Sequence, residues 1–238
     1  MSDSAPRRDI IAIGGGGFLA EPRNLALEKY MLEQTGKERP RVLMMPTARG
    51  DDAEYVRKFH AAFGELGATT ADLPFFHRTP DLRAVILAQD AIFVGGGNTK
   101  SMLAVWREWG VPALLNEASG RGIVLGGQSA GAICWFEQGI TDSWADRLRP
   151  LDCMSFLPGS CCPHYDGEVE RRPAYHAYLE RGDVKPGYAI EDGAAAHFRH
   201  GRLERVVSKR AGARAYYVSI DHGTVNERAL DVTLLPAA

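Results

Sequence analysis

Four short apolar runs recur along the first half of the chain, and each of them ends on Gly or around Pro-Thr. They are DIIAIGG (9–15), RVLMMPTA (41–48), AIFVGGG (91–97) and GIVLGG (122–127). Short apolar runs bounded by turn residues are typical of buried strands. Amphipathic stretches between these runs predict helices with one apolar face, at 24–36, 52–67 and 99–110.

The alternation of strand and helix patterns predicts an α/β fold. We expect a mostly parallel, doubly wound sheet with helices on both faces. After residue 185 the pattern changes to consecutive short strands, with RHGR (199–202) as the turn of one hairpin. This change predicts a C-terminal antiparallel hairpin region. No repeat, low-complexity segment or linker divides the sequence, so we expect residues 1–238 to form a single domain.

Composition and charge exclude several classes of function. The 238 residues carry a net charge of -2 and are 45% hydrophobic, so neither nucleic acid nor a membrane is expected as a partner. No apolar run is long enough for a bilayer, and the N-terminus lacks a signal-peptide pattern, which predicts a cytoplasmic protein. The four cysteines form no CxxC pair, so we expect reduced thiols and no metal site. The chain is expected to be a monomer or a homodimer.

Ser129 stands between two glycines in GQSAG (127–131), at the end of the fourth predicted strand. This strand–turn–helix pattern is that of a nucleophile elbow. A serine hydroxyl needs a base to accept its proton and donors to stabilise an oxyanion. The alternative interpretation is a helix N-cap, a position that serine also favours.

His164 is the best candidate for the base among the seven histidines. It follows MSFLPGSCC, which resembles a strand end, and the carboxyl ends of strands are where functional groups gather in such sheets. An orienting acid is expected from another strand end, where Glu191 and Asp192 follow the apolar YAI. Neighbouring strand residues point in opposite directions, so the pattern leaves the choice between them open. An ordinary loop histidine and a plain Glu-Asp-Gly turn are the alternatives.

Oxyanion donors would be backbone N–H groups. The helix predicted to begin near Ala130 offers one, and the glycine-rich VGGGNT (94–99) offers a second. A phosphate cradle is the alternative, but no Gly-Lys-Ser/Thr follows this loop. IGGGGF (13–18) also lacks the helix and the acidic residue of a dinucleotide site. We therefore expect no cofactor.

These motifs together resemble the peptidase E family (family S51), which includes aspartyl dipeptidase and cyanophycinase. The resemblance covers nearly the whole chain, through IGGGG, MMPTA, VGGGNT, GGQSAGAICWF, LPGSCCPHYDGEVERR and GYAIEDGAAAHF. It implies a fold related to class I glutamine amidotransferases, with serine in place of their nucleophilic cysteine. It also implies Ser129 as nucleophile and His164 as base. Alignment on Gly193 gives Asp192 as the acid, although the family usually has Glu there, so Glu191 stays an alternative.

The same resemblance implies an oxyanion hole formed by the N–H groups of Gly97 and Ala130. It further implies a serine exopeptidase that hydrolyses short peptides with an N-terminal aspartate, whose carboxylate needs a cation. Arg171 and Arg172 are candidates, because a guanidinium suits a bidentate carboxylate grip. A solvated charge run at a helix start is the alternative for this pair. An amidotransferase-like enzyme or a non-catalytic binding relative are the competing functions.

Overall fold

Two β-sheets organise the chain in a computed structural model that describes residues 7–237. The strands are β1 (Asp9–Ile13), β2 (Arg41–Met45), β3 (Thr69–Asp72), β4 (Ala91–Val94), β5 (Val124–Gln128), β6 (Phe136–Thr141), β7 (Arg149–Asp152), β8 (Leu157–Cys162), β9 (Gly187–Ile190), β10 (Ala194–Arg199), β11 (Arg202–Ser208), β12 (Ala215–Asp221), β13 (Thr224–Ala229) and β14 (Val232–Leu234). The helices are α1 (Ala26–Glu33), α2 (Ala53–Glu65), α3 (Leu82–Leu87), α4 (Thr99–Glu108), α5 (Val111–Gly120), α6 (Ala130–Ile133) and α7 (Arg171–Glu180).

The larger sheet has eight strands in the order β14-β11-β10-β1-β5-β4-β2-β3. Five neighbouring strands of this sheet are parallel to one another, namely β1, β5, β4, β2 and β3. Strand β10 runs antiparallel to β1. Alternate residues of β1 enter different cores: Ile10 packs with α4 and α5, and Ile11 packs with α1 and α2. Helices therefore cover both faces, which confirms the prediction of a mostly parallel, doubly wound α/β fold.

The smaller sheet has six strands in the order β13-β12-β9-β8-β6-β7. The predicted C-terminal hairpins are present, and the turn of β10–β11 lies at RHGR. They are divided between the two sheets, however, because β10 and β11 extend the larger sheet while β12 and β13 complete the smaller one. The helix predicted from Ala130 is only one turn long, since β6 already begins at Phe136.

The four cysteines are free thiols, as the sequence led us to expect. Cys134, Cys161 and Cys162 are buried, and burial raises the pKa of each thiol above its ordinary value. These thiols are therefore protonated and unreactive at neutral pH. Within residues 7–237, no helix combines the length and the apolar character needed to cross a membrane.

Candidate active site

Ser129 lies on the sharp turn between β5 and α6, with φ 55° and ψ -112°. A positive φ is unusual for a residue with a side chain, and such strain is typical of a nucleophile elbow. Ser129 occupies the N-cap position of α6, but its side chain makes no capping hydrogen bond. The N-cap alternative therefore does not account for this serine, whose hydroxyl is left available for chemistry.

His164 and Asp192 form a hydrogen-bonded pair at the same edge of the sheet. The His164 Nδ1–H donates to Asp192 Oδ1 at 2.7 Å, since a carboxylate can only accept. The hydrogen bond from His164 is the main cause that lowers the pKa of Asp192 below its ordinary value of 3.8, although burial opposes it. Asp192 is therefore ionised at neutral pH and fixes the tautomer that leaves His164 Nε2 as an acceptor.

The turn after β1 brings Ser129 and the histidine–aspartate pair together. Ser129 N–H donates to the carbonyl of Ile13 at 3.1 Å. Two residues further on, Gly15 lies against the pair, because a Cβ there would stand 2.5 Å from His164 Nδ1. The Ser129 hydroxyl makes no hydrogen bond to the His164 ring among residues 7–237. Such contacts are often long before a substrate binds.

Glu191, the alternative acid, does not contact His164. It is buried, and its two carboxylate oxygens accept from the Arg214 N–H at 2.8 Å and the Tyr216 hydroxyl at 3.0 Å. The structure thus pairs His164 with Asp192 and directs Glu191 towards β12.

The loop that follows β4 lies beside the serine. A Cβ at Gly96 would stand 3.2 Å from Ser129 Cβ. Gly96 N–H donates to the Tyr55 hydroxyl at 3.2 Å. The N–H groups of the residues before and after the Gly96–Gly97 pair donate to carbonyls at the end of β2 and in the turn that follows it. The N–H of Gly97 has no acceptor among residues 7–237. Ala130, the first residue of α6, likewise has no acceptor within its helix. One of these two free donors follows Ser129 directly in the chain, and the other follows the glycine that packs against it.

Arg171 is buried and forms ion pairs with acidic side chains of the protein. Its side chain is only 1% exposed, and its guanidinium donates to Glu168 at 2.6 Å and to the carbonyl of Ile140 at 2.8 Å. A third nitrogen lies 3.4 Å from Asp142. This placement differs from the substrate contact expected for Arg171, because a substrate carboxylate would have to displace the protein's own acceptors.

Arg172 is half exposed, but its guanidinium also has a partner. It forms an ion pair with Glu227 and lies over the rings of Tyr165 and Tyr216, at 5.3 and 5.7 Å from their centroids. Both arginines of the predicted substrate site are therefore paired with acidic side chains of the protein.

Gly15 and Tyr55 were not predicted as parts of the site. The glycine run at 14–17 signals a close approach of the backbone, but not which side chains approach it. Tyr55 lies in the amphipathic helix predicted at 52–67, a pattern that gives no sign of a role at the site. Its burial raises the pKa of Tyr55 to about 12, so the hydroxyl stays neutral and supports Gly96.

In the described part of the chain, no three His, Cys, Asp or Glu residues form a group that could hold a metal ion.

The strained serine, the histidine–aspartate pair and the free N–H groups lie at one edge of an α/β sheet, an arrangement that suits the chemistry of a hydrolase. The profile of peptidase family S51 matches residues 10–206. The chain therefore belongs to peptidase family S51, as the motif resemblance indicated.

Two relatives illustrate the range of similarity. The chain is 47% identical over 229 residues to the "Uncharacterized peptidase YgaJ" of Bacillus subtilis (strain 168), which covers 96% of this chain and 99% of that protein. It is 24% identical over 201 residues to the Peptidase E of Haemophilus influenzae, covering 81% and 88% of the two chains.

Two solved structures share the fold. A peptidase from an acI-B1 Actinobacterium superposes with a TM-score of 0.72 at 18% identity, covering 97% of this chain and 96% of the other. A putative peptidase E from Listeria monocytogenes EGD-e superposes with a TM-score of 0.62 at 20% identity, covering 87% and 100%. At these identities the likeness shows the fold alone.

Proposed function

We propose that this chain is a serine exopeptidase that hydrolyses short peptides with an N-terminal aspartate. Ser129 is the nucleophile, His164 the general base and Asp192 the acid that orients it. The observation that carries the proposal is the 2.7 Å hydrogen bond between His164 and Asp192, at the same turn that holds the strained Ser129. Membership of a peptidase family supports the reaction class.

The proton path follows from the tautomer. Asp192 accepts the Nδ1–H of His164, so the Nε2 lone pair accepts the Ser129 proton as Oγ attacks the peptide carbonyl carbon. His164 then donates this proton to the leaving amine, and the peptide C–N bond breaks to give an acyl-enzyme. A water molecule, deprotonated by His164, hydrolyses the ester and restores Ser129.

The free N–H groups of Gly97 and Ala130 are proposed as the oxyanion hole. Both border Ser129, and the partial positive charge of the α6 N-terminus adds to the stabilisation of a developing oxyanion. Gly96 packs closely against Ser129, since a Cβ there would stand 3.2 Å from Ser129 Cβ, and its bond to Tyr55 holds the loop. The loop that carries Gly97 is thus held in place before a substrate binds.

The substrate class is proposed from the resemblance to aspartyl dipeptidase. Arg171 and Arg172 were the candidates for the cation that it requires. Arg172 could serve only by leaving Glu227, and Arg171 only by leaving Glu168 and Asp142.

The first test is the Ser129→Ala variant, assayed with Asp-Leu and a panel of X-Leu dipeptides. We expect kcat to fall by ~10⁴–10⁶-fold, because the residual rate comes only from binding and the oxyanion hole. The thermal unfolding temperature should change little, since the hydroxyl makes no capping bond. Activity close to that of the unmodified chain would exclude Ser129 as the nucleophile.

A further inference from the structure

Arg49 lies at the end of the short 3-10 turn Thr47–Arg49, which follows β2 at the same sheet edge as Ser129. A Cβ at Gly97 would stand 3.0 Å from Arg49 Cγ, so the stem of this arginine runs beside the proposed oxyanion loop. The guanidinium Cζ lies 4.9 Å from the ring centroid of Tyr55, the residue that holds Gly96. The side chain is therefore anchored next to the site by contacts on two sides.

The charge of Arg49 is not neutralised within the protein. Arg49 is exposed, and no carboxylate among residues 7–237 lies within 4.0 Å of its guanidinium. By contrast, Arg171, Arg172 and Arg210 each pair with a carboxylate. Stacking on a ring holds one face of a guanidinium and leaves its N–H edge free for a planar acceptor.

The sheet order places Arg49 and His164 on opposite sides of Ser129. Ser129 follows β5, which lies between β1 and β4, and β2 lies beyond β4. His164 contacts Gly15, after β1, whereas Arg49 follows β2 and contacts the loop after β4. A residue that protonates the leaving amine must lie on the leaving-group side. Arg49 therefore faces the acyl residue, which in an exopeptidase of this kind is the N-terminal residue.

We propose that Arg49 is the specificity-determining residue that binds the side-chain carboxylate of the substrate's N-terminal residue, through the free N–H edge of its guanidinium. This assignment rests on the proposed function, and it takes over the role expected for Arg171 or Arg172. A carboxylate accepts two parallel N–H bonds from a guanidinium, whereas an amide of the same size offers one oxygen and no charge. The preference for Asp over Asn isolates this interaction.

The experiment compares kcat/KM for Asp-Leu and Asn-Leu in the unmodified chain, Arg49→Gln and Arg49→Lys. We expect Asp-Leu to be preferred, and Arg49→Gln to lower that preference by ~10- to 100-fold. Arg49→Lys should restore part of it, because lysine keeps the charge but not the fork. Arg181→Gln is the control. Arg181 also stacks on a tyrosine, 4.6 Å from the Tyr178 centroid, but it lies at the C-terminal end of α7, so this substitution should leave the preference unchanged.

A binding measurement separates this proposal from the reaction itself. In the Ser129→Ala background, calorimetry should show tighter binding of Asp-Leu than of Asn-Leu, and Arg49→Gln should remove the difference. An undiminished preference in Arg49→Gln would overturn the assignment while leaving the peptidase intact. Equal rates and equal binding for the two peptides in the unmodified chain would overturn both Arg49 and aspartyl specificity. Hydrolysis that survives Ser129→Ala would instead contradict the proposed function. In that case the binding data alone would decide whether Arg49 binds the substrate carboxylate.

Discussion

The assignment of the acid is tested most sharply by paired neutral substitutions at two adjacent positions, Asp192→Asn and Glu191→Gln. In Asp192→Asn the new amide can donate to His164 Nδ1, which places the remaining proton on Nε2. An imidazole in that tautomer cannot accept the Ser129 proton. We therefore expect kcat/KM to fall by ~10⁴-fold, equivalent to about 5 kcal/mol of transition-state stabilisation.

Glu191→Gln should give the opposite pattern. Glu191 accepts from two donors, the Arg214 N–H and the Tyr216 hydroxyl, with one carboxylate oxygen each. Glutamine has a single oxygen, so one donor would face an NH₂ group. We expect a loss of about 1–3 kcal/mol in the free energy of unfolding, with kcat/KM changed by less than ~10-fold.

Both variants are measured by steady-state kinetics on Asp-Leu and by urea unfolding at pH 7. A larger activity loss in Glu191→Gln than in Asp192→Asn would move the role to Glu191, and mild equal effects would exclude both residues. The pH dependence adds a check on Asp192. Because its pKa is lowered in the folded chain, ionised Asp192 stabilises the fold above its ordinary pKa of 3.8. That contribution is lost as pH falls through the lowered value, so the stability difference from Asp192→Asn should shrink there.

Two further predictions address the backbone of the site and the core. Gly15→Ala places a Cβ 2.5 Å from His164 Nδ1 and should lower kcat/KM by ~100-fold or more, whereas Gly64→Ala, with open space around it, should retain activity in the same assay. Asp9 is buried and accepts hydrogen bonds from His197, at 3.0 Å, and from a neighbouring arginine. Burial raises the pKa of Asp9, but the two hydrogen bonds outweigh burial, so the pKa is lowered overall. Asp9→Asn should therefore cost about 3–5 kcal/mol of unfolding free energy at pH 7, and urea unfolding should show the deficit shrinking below about pH 4.

The parallel core and the sharp turn at Ser129 were predictable because their signals are local. Each apolar run ended on glycine or proline within a few residues of the strand end that the structure shows, as in β1 and β5. The turn at Ser129 needs glycines immediately around it, so its pattern lies in five consecutive residues. His164 was also placed correctly at a strand end, because β8 stops two residues before it.

The smaller sheet could not be predicted, since its pairings join distant segments. β6 pairs with β8 and β8 with β9 in parallel, across intervening loops and α7. Strands with mixed exposure, such as β7 and β13, carry no continuous apolar run. The choice between Glu191 and Asp192 stayed open at the level of the sequence for a similar reason. It depends on a bridge between Gly15 and Asp192 and on the donors of β12, neither of which is local.

Under the proposed function, specificity depends on which arginine remains unpaired, and pairing is a property of tertiary structure. The pairing of Arg171 with Glu168 is an i,i+3 contact that the sequence allows. The pairing of Arg172 with Glu227 joins positions 55 residues apart. A guanidinium that already pairs with a carboxylate must exchange that partner for a substrate, so its net gain is small. Arg49, stacked but unpaired, loses only water when it binds a carboxylate. A motif can therefore identify the reaction of such a chain, whereas its substrate follows from the charges that the fold leaves unneutralised.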